Sequence, residues 1–223
     1  ASQQMREQQA KVFETQAQLS SGKKLQQPSD DPALATAINN LKSQIDVNQR
    51  YLSNLNHMQD TLKMQESTVA GSLDLVSRIK ELSIQGANDT YSDSDRKTMA
   101  IEVKELIAAL ADLGNTRGTD GAYLFSGYSQ GQAPFASSST GAVTYTGSTD
   151  SLKVMVDDGR SMQLGISGSD IFGSVEHLNT STGATSRIDL FATLNNMHSA
   201  LLTNNGDAIR ESLDKVSSVH EHV

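Results

Sequence analysis

Residues 32–84, PALATAINNLKSQIDVNQRYLSNLNHMQDTLKMQESTVAGSLDLVSRIKELSI, place apolar side chains at alternating steps of four and three. The series runs Leu34, Ile38, Leu41, Ile45, Asn48, Leu52, Leu55, Gln59, Leu62, Glu66, Val69, Leu73 and Val76, and ten of these thirteen positions are aliphatic. Sustained over six heptads, such spacing predicts one long helix with a single apolar seam, as in a coiled coil or bundle. At 1.5 Å per residue the stretch would be about 80 Å long. After Val76 the step to Ile79 and Leu82 shortens to three, which rotates the seam around the helix. Leu55 and Leu62, in the middle of the seam, are expected to be core positions.

The flanks punctuate this helix. An earlier helix with its seam on Met5, Val12 and Leu19 ends at Gly22. Ser29 or Asp31 can cap the long helix, and Pro32 suits its first turn. Downstream, Ser92 and Asp95 resemble a capping box for a helix with its seam on Met99, Val103, Leu106, Leu110 and Leu113, closed by Gly114. Leu190, Leu194, Met197 and Leu201 repeat the spacing. Asn204-Asn205-Gly206 interrupts it, and Ile209, Leu213, Val216, His220 and Val223 resume it.

Between these helices the period changes to two: Val143 and Tyr145, then Leu152, Val154 and Val156, then Met162, Leu164 and Ile166. Asp157-Asp158-Gly159-Arg160 carries a hairpin-type Asp-Gly. The expected fold is α+β, an elongated antiparallel helical bundle or coiled-coil rod with a small antiparallel β domain inserted between N- and C-terminal helices. The boundaries read 1–134 helical, 135–184 β, and 185–223 helical, the last packing on the first.

Charge and composition narrow the function. The net charge is −8 and no Lys/Arg stripe forms, so nucleic acid and anionic membranes are poor partners. Cysteine is absent, which removes disulfides, Cys-ligated zinc and thiol catalysis together. The longest apolar run, Leu106 to Ala111, falls far short of the ~20 residues of a membrane span. No signal-peptide core is visible. The chain starts at Ala1 and stops inside a helical pattern, so it reads as a trimmed piece.

Candidate chemistry fails on spacing. Gly114, Gly118 and Gly121 do not form a dinucleotide fingerprint, and Ser21-Gly22-Lys23-Lys24 lacks the leading Gly and following Ser/Thr of a phosphate loop. Asp89, Asp93 and Asp95 resemble a calcium loop, but Ser94 and Ala100 stand where such a loop needs Gly and Glu. His220 and His222, two apart, fall on different sides of a helix and do not chelate zinc together. Aromatic residues make up 4% of the chain, too few to line a substrate pocket. No enzyme activity, cofactor or metal is expected.

The segment Leu19-Ser20-Ser21-Gly22-Lys23-Lys24-Leu25, followed by Pro28-Ser29-Asp30-Asp31-Pro32, resembles the N-terminal signature of bacterial flagellins and their relatives. Asn54, Asp60, Glu66, Gly71, Leu75, Ile79, Leu82, Gln85, Ala87 and Asn88 are similar to that family's long helix. Asp30-Asp31-Pro32-Ala33 departs from the Asp-Asp-Ala-Ala-Gly usual in flagellins. Asp120-Gly121-Ala122-Tyr123-Leu124-Phe125-Ser126-Gly127-Tyr128, with Pro134-Phe135, resembles the branch that forms the hook–filament junction.

The resemblance implies a secreted structural protein of the flagellum that adapts hook to filament in a ring. Its implied partners are hook-associated protein 1, flagellin, lateral copies of itself and an export chaperone acting on a C-terminal segment. The residues carrying the resemblance, Ser21, Gly22, Lys23, Leu25, Pro28, Asp30, Asp31, Pro32, Tyr123, Phe125 and Gly127, are its structural or interface candidates. A flagellin filament subunit is the nearest alternative. A surface adhesin or glycan-binding module is a different class, for which Tyr145 and Phe172 offer too few aromatic platforms.

Overall fold

A computed structural model describes residues 2–22, 24, 31–138, 141–178, 183 and 185–223. The chain forms two compact units, residues 1–53 and 54–223. Its elements are α1 (Ser2–Ser21), α2 (Pro32–Ala87), α3 (Asp93–Gly114), β1 (Phe135–Ser137), β2 (Val143–Tyr145), β3 (Lys153–Asp157), β4 (Arg160–Gln163), a π-helical turn (Ser169–Gly173), β5 (Ser174–Leu178), β6 (Thr185–Asp189), α4 (Leu190–Leu202) and α5 (Gly206–His222). Long helices with small antiparallel ribbons make this an α+β fold, as the two periods predict.

The first unit holds α1 and the start of α2, and none of its described residues is buried. Gly22 adopts a left-handed φ of 66° after the last turn of α1. Asp31 caps α2: its Oδ1 accepts from the Leu34 amide at 3.0 Å, and Pro32 occupies the first helical position. Ser29, the other capping candidate, lies outside the described residues.

In the second unit, residues 54–87 of α2 join α3, α4, α5 and the ribbons. The capping box of α3 is complete, since Ser92 Oγ accepts from the Asp95 amide at 3.2 Å while Asp95 Oδ2 accepts from the Ser92 amide at 3.0 Å. The Ser92 hydroxyl, and then its amide, hold the Asp95 carboxyl below the usual range. Asp189 caps α4 through the Ala192 amide, and Asn205 caps α5 through the Ala208 amide. Asn204, with φ 53°, makes the break between these two helices.

The expected seams are buried throughout on α4 (Leu190, Leu194, Met197, Leu201), at Met99, Val103 and Leu110 on α3, and at Ile209 and Val216 on α5, where Leu213, His220 and Val223 are half-buried. On α2 the seam is buried as expected at Val76, Ile79 and Leu82, but before Val76 it is not the buried face. Leu55 and Leu62 are 40% and 44% exposed, against the expectation that they are core. The buried stripe there is instead Met58, Gln65, Thr68 and Ser72, and it continues after the seam's Val76, Ile79 and Leu82 with Ser83 and Gly86. Around Gln65 to Ser72 it lies one residue, about 100° of helix, away from the aliphatic seam. Its polar members are small or internally satisfied: Thr68, Ser72 and Ser83 hydroxyls donate to the carbonyls four residues back. Small side chains let neighbouring backbone come close, and Gly86 lies against Leu201 and Ile209.

The β residues form three separate two-stranded antiparallel ribbons, β1–β2, β3–β4 and β5–β6. The Asp158-Gly159 turn joins β3 to β4 with Gly159 at φ 69°. Strand β4 stops at Gln163, short of the expected alternation to Ile166, because Gly165 (φ 75°) turns the chain toward α2. Residues 185–189, expected to be helical, form β6, which pairs with β5 from Ser174↔Asp189 to Leu178↔Thr185. Asp189 then ends the strand by serving as the cap of α4.

The core at the meeting of ribbons and helices is aromatic. Phe125, Phe135, Phe172, Phe191 and Tyr145 form a cluster in which the Phe125–Phe172 and Phe135–Phe172 rings meet edge-on at 5.5 and 5.4 Å. Gly114 is needed here for closeness: it lies inside α3, and a Cβ would stand 2.5 Å from the Phe135 ring.

Candidate assembly surfaces and the loop hub

Four candidate residues, Lys23, Leu25, Pro28 and Asp30, lie outside the described residues. Ser21 and Gly22 sit at the exposed end of α1, and Asp31 and Pro32 start α2. Gly22 follows the last turn of α1, and Asp31 caps α2.

Tyr123, Phe125 and Gly127 belong to a tightly folded loop after α3. The Asp120 carboxylate accepts from the Ala122 amide at 3.0 Å, and Gly118 N donates to Ala122 O at 2.8 Å. The Arg117 guanidinium lies 4.3 Å above the Tyr123 ring. Phe125 is fully buried in the aromatic cluster. Gly127 needs its left-handed φ of 58°, and a Cβ there would stand 2.6 Å from the carbonyls of Ser148 and Asp150. The Tyr145 hydroxyl lies 3.0 Å from Phe125 O and 2.7 Å from Ser148 O, and burial pushes its phenol above the usual range.

Gln65 ties α2 to this loop, a role sequence reading missed. Its Nε2 donates to Leu124 O at 2.8 Å and to Ile166 O at 3.1 Å, while its Oε1 accepts from Ile166 N at 3.1 Å. Gly165 must be glycine for this contact, since a Cβ would overlap the Gln65 amide. The one available signal was a buried-type spacing of Met58, Gln65, Ser72 and Ile79 at steps of seven.

Arg96 is a second such residue. Only 7% exposed, it donates from Nε to Gly86 O at 2.9 Å, from Nη2 to Asn88 O at 3.2 Å, and from Nη1 to Asn204 Oδ1. It thereby joins the α2–α3 turn to the α4–α5 turn. The acidic trio has partners of other kinds. Asp89 lies 3.7 Å from Arg96 and 3.5 Å from Arg210, Asp93 pairs with Lys97, and Asp95 completes the capping box.

A cavity of about 30 Å³ opens among His57, Asp120, Tyr123, Gln130 and Ser167, with His57 Nε2 3.8 Å from Asp120 Oδ2. It has room for a water or two and none for an organic substrate. The larger exposed features are apolar. In the first unit they are Met5, Val12, Phe13 and Leu19 on α1, and Leu41, Ile45 and Leu52 on α2. In the second unit, Asn54 Nδ2 donates to Met155 O at 2.7 Å, so the β3–β4 ribbon lies beside α2. Leu55, Leu62, Met155, Met162 and Ile166 are all exposed there. Exposed aliphatic faces of this extent mark protein–protein surfaces.

A long heptad helix, packed ribbons and open apolar faces define a structural assembly protein, and the sequence comparisons agree. The family described as bacterial flagellin N-terminal helical region matches residues 1–130, and the chain belongs to that family. Flagellar hook-associated protein 3 of Escherichia coli K12 is 31% identical over 188 residues, which are 83% of this chain and 58% of that protein. The chain thus spans less than two thirds of that relative's length. Flagellin FlaB1 of Treponema pallidum is 28% identical over 109 residues, 49% of this chain and 38% of that protein. Among solved structures, the flagellar junction protein FlgL from Legionella pneumophila superimposes with a TM-score of 0.70 at 16% identity, covering 83% of this chain and 94% of that one. That likeness establishes the shared fold.

Proposed function

We propose that this chain is a structural subunit of the bacterial flagellum at the junction between hook and filament, an adaptor that performs no catalysis. The observation that carries the reading is the extent of similarity to hook-associated protein 3. At 83% of the chain it must run well past the N-terminal helical region into the ribbons, whereas similarity to a flagellin covers 49% of the chain. A filament subunit is therefore the weaker reading. The proposed neighbours are hook-associated protein 1 on one side, flagellin on the other, and lateral copies of the same subunit within a ring. Export through the flagellar channel with a chaperone on the C-terminal segment, and an extracellular location, belong to the same proposal. The exposed aliphatic faces of α1 and α2 are the surfaces such an assembly would cover.

The proposal orders the assembly steps. Purified full-length protein should bind isolated hooks only after hook-associated protein 1 has been added, and flagellin should polymerise only on the resulting complex. Direct growth of filaments from this protein alone would favour the filament-subunit reading.

A further inference from the structure

Three glycines in the chain follow an aspartate or an asparagine: Gly121 after Asp120, Gly159 after Asp158 and Gly206 after Asn205. At such a pair the glycine amide nitrogen can attack the preceding side-chain carbonyl carbon, because glycine has no Cβ to hinder the approach. In a free chain asparagine reacts faster than aspartate, since a neutral carboxamide does not repel the amide anion as a carboxylate does. The sequence alone therefore singles out Asn205. The fold reverses that order.

The Asn205 carboxamide is engaged, its Oδ1 accepting from the Ala208 amide at 3.1 Å as the cap of α5. The peptide joining Asn205 to Gly206 is held as well, since its carbonyl accepts from the Ile209 amide at 2.9 Å. Asp120 is tied down in a similar way. Its Oδ1 accepts from the Ala122 amide at 3.0 Å, and the amide of Gly121, the nucleophile in this pair, donates to Gly118 O at 3.0 Å. At both pairs the reaction would first have to break hydrogen bonds.

Asp158 has no such tether. It is exposed on the two-residue turn between β3 and β4, and no described residue hydrogen-bonds or ion-pairs with its carboxylate. Nothing stands within 4 Å of where a Cβ of Gly159 would be, so the turn has room for a ring. We propose that Asp158-Gly159 is the chain's site of spontaneous isomerisation, where aspartate converts to isoaspartate through a cyclic imide. Gly159 N loses its proton and bonds to Asp158 Cγ, and a carboxyl oxygen leaves as water. Water then opens the ring at either carbonyl. Opening at Cγ restores aspartate. Opening at the α-carbonyl leaves the main chain running through Cβ and Cγ, with the former α-carbonyl as the free carboxylate. The water released in the first step is regained in the second, so mass and oxidation state are unchanged.

The product adds one carbon to the backbone of a two-residue turn. No residue of β3 or β4 is buried, and a two-stranded ribbon has little stability of its own. The added atom loosens the pairing of Val154 with Met162 and of Lys153 with Gln163.

Storage of the whole chain at 37 °C and pH 7.5, folded and in urea, followed by peptide mapping, tests the site. Fragmentation that distinguishes the two isomers reads isoaspartate, and a mass gain reads deamidation of Asn205. In urea Asn205 should convert first. In the folded chain Asp158 should lead, several-fold ahead of Asp120 and Asn205. After conversion the amides of residues 153–163 should exchange several-fold faster than in fresh protein. Asp158→Ser, stored alike, should keep its exchange unchanged, because the turn tolerates serine. Conversion led by Asn205 or Asp120 in the folded chain, or an Asp158 that reacts in urea and stays intact when folded, would overturn the proposal. Unchanged exchange after conversion, or equal quickening in Asp158→Ser, would refute the loosening of the ribbon.

Discussion

Replacing Gln65 by alanine should be among the most damaging single changes in residues 54–223. The side chain is 4% exposed and makes three hydrogen bonds, two to carbonyls and one from an amide, all on loop backbone far away in sequence. Each such bond contributes about 1 kcal/mol net, and buried groups left unpaired cost more than that mean. Truncation should therefore cost about 3 kcal/mol, a sizeable part of the ~5–15 kcal/mol of an ordinary domain. Urea unfolding followed by helical circular dichroism measures the loss, with Gln59→Ala, an exposed position on the same helix, as the control expected to change stability by less than ~0.5 kcal/mol. Gln65→Glu sharpens the test, because a carboxylate would face the Leu124 and Ile166 carbonyl oxygens. Such a carboxyl titrates higher folded than unfolded, so its penalty should grow as pH rises above the usual carboxylate range and shrink below it. If Gln65→Ala and Gln59→Ala unfold at the same urea concentration, the hub has no energetic meaning and the reasoning fails.

Further expectations concern packing and charge. Leu62→Ala should cost less than ~1 kcal/mol in this chain, while Ile79→Ala, fully buried on the same helix, should cost about 2–5 kcal/mol; equal midpoints would mean that the buried stripe is misplaced. Gly114→Ala should destabilise by about 1–3 kcal/mol through the Phe135 ring, whereas Gly71→Ala, whose Cβ would meet only Leu113 at 3.6 Å, should be neutral or stabilising by up to ~1 kcal/mol in thermal melts. Arg96→Met should lower the melting temperature strongly, and Arg96→Lys should recover little of it, because one ammonium cannot reach Gly86 O, Asn88 O and Asn204 together. Burial, then the charge of Lys104, hold the His198 imidazole below its ordinary 6.5. The folded state thus disfavours the added proton, and stability should fall as pH drops below 6.5, by less in His198→Gln; identical pH profiles would contradict this.

Much of the helical architecture is legible in the sequence because local signals and burial agree. Asp31 and the Ser92–Asp95 pair are caps whose chemistry acts within four residues. The α4 seam is buried as spaced, since large apolar side chains carry it and both α5 and α3 cover it. The α2 face is not legible for the opposite reason. Between Met58 and Ser72 its buried stripe faces Leu124 and Ile166, the latter 101 positions away from Gln65, and polar residues carry most of it. A period count follows aliphatic side chains; those at Leu55 and Leu62 lie on an exposed surface, while Val76, Ile79 and Leu82 are buried as counted. Strand β6 was hidden because Ile188 is the only aliphatic residue in Thr185–Asp189, so no alternation announces it. The aromatic cluster was equally hidden, as Phe125, Phe135, Phe172 and Phe191 are dispersed along the chain. Of the candidate residues, Phe125 and Gly127 were found through the resemblance, while Gln65 and Arg96 carry no motif.

The position of the protein on the flagellum tests the account most directly. A fluorescent label on an exposed residue of the full-length protein, imaged in cells together with labelled hook and filament, locates it without assuming any contact. The account predicts one focus per flagellum, between hook and filament. A continuous line of signal along the filament would contradict it.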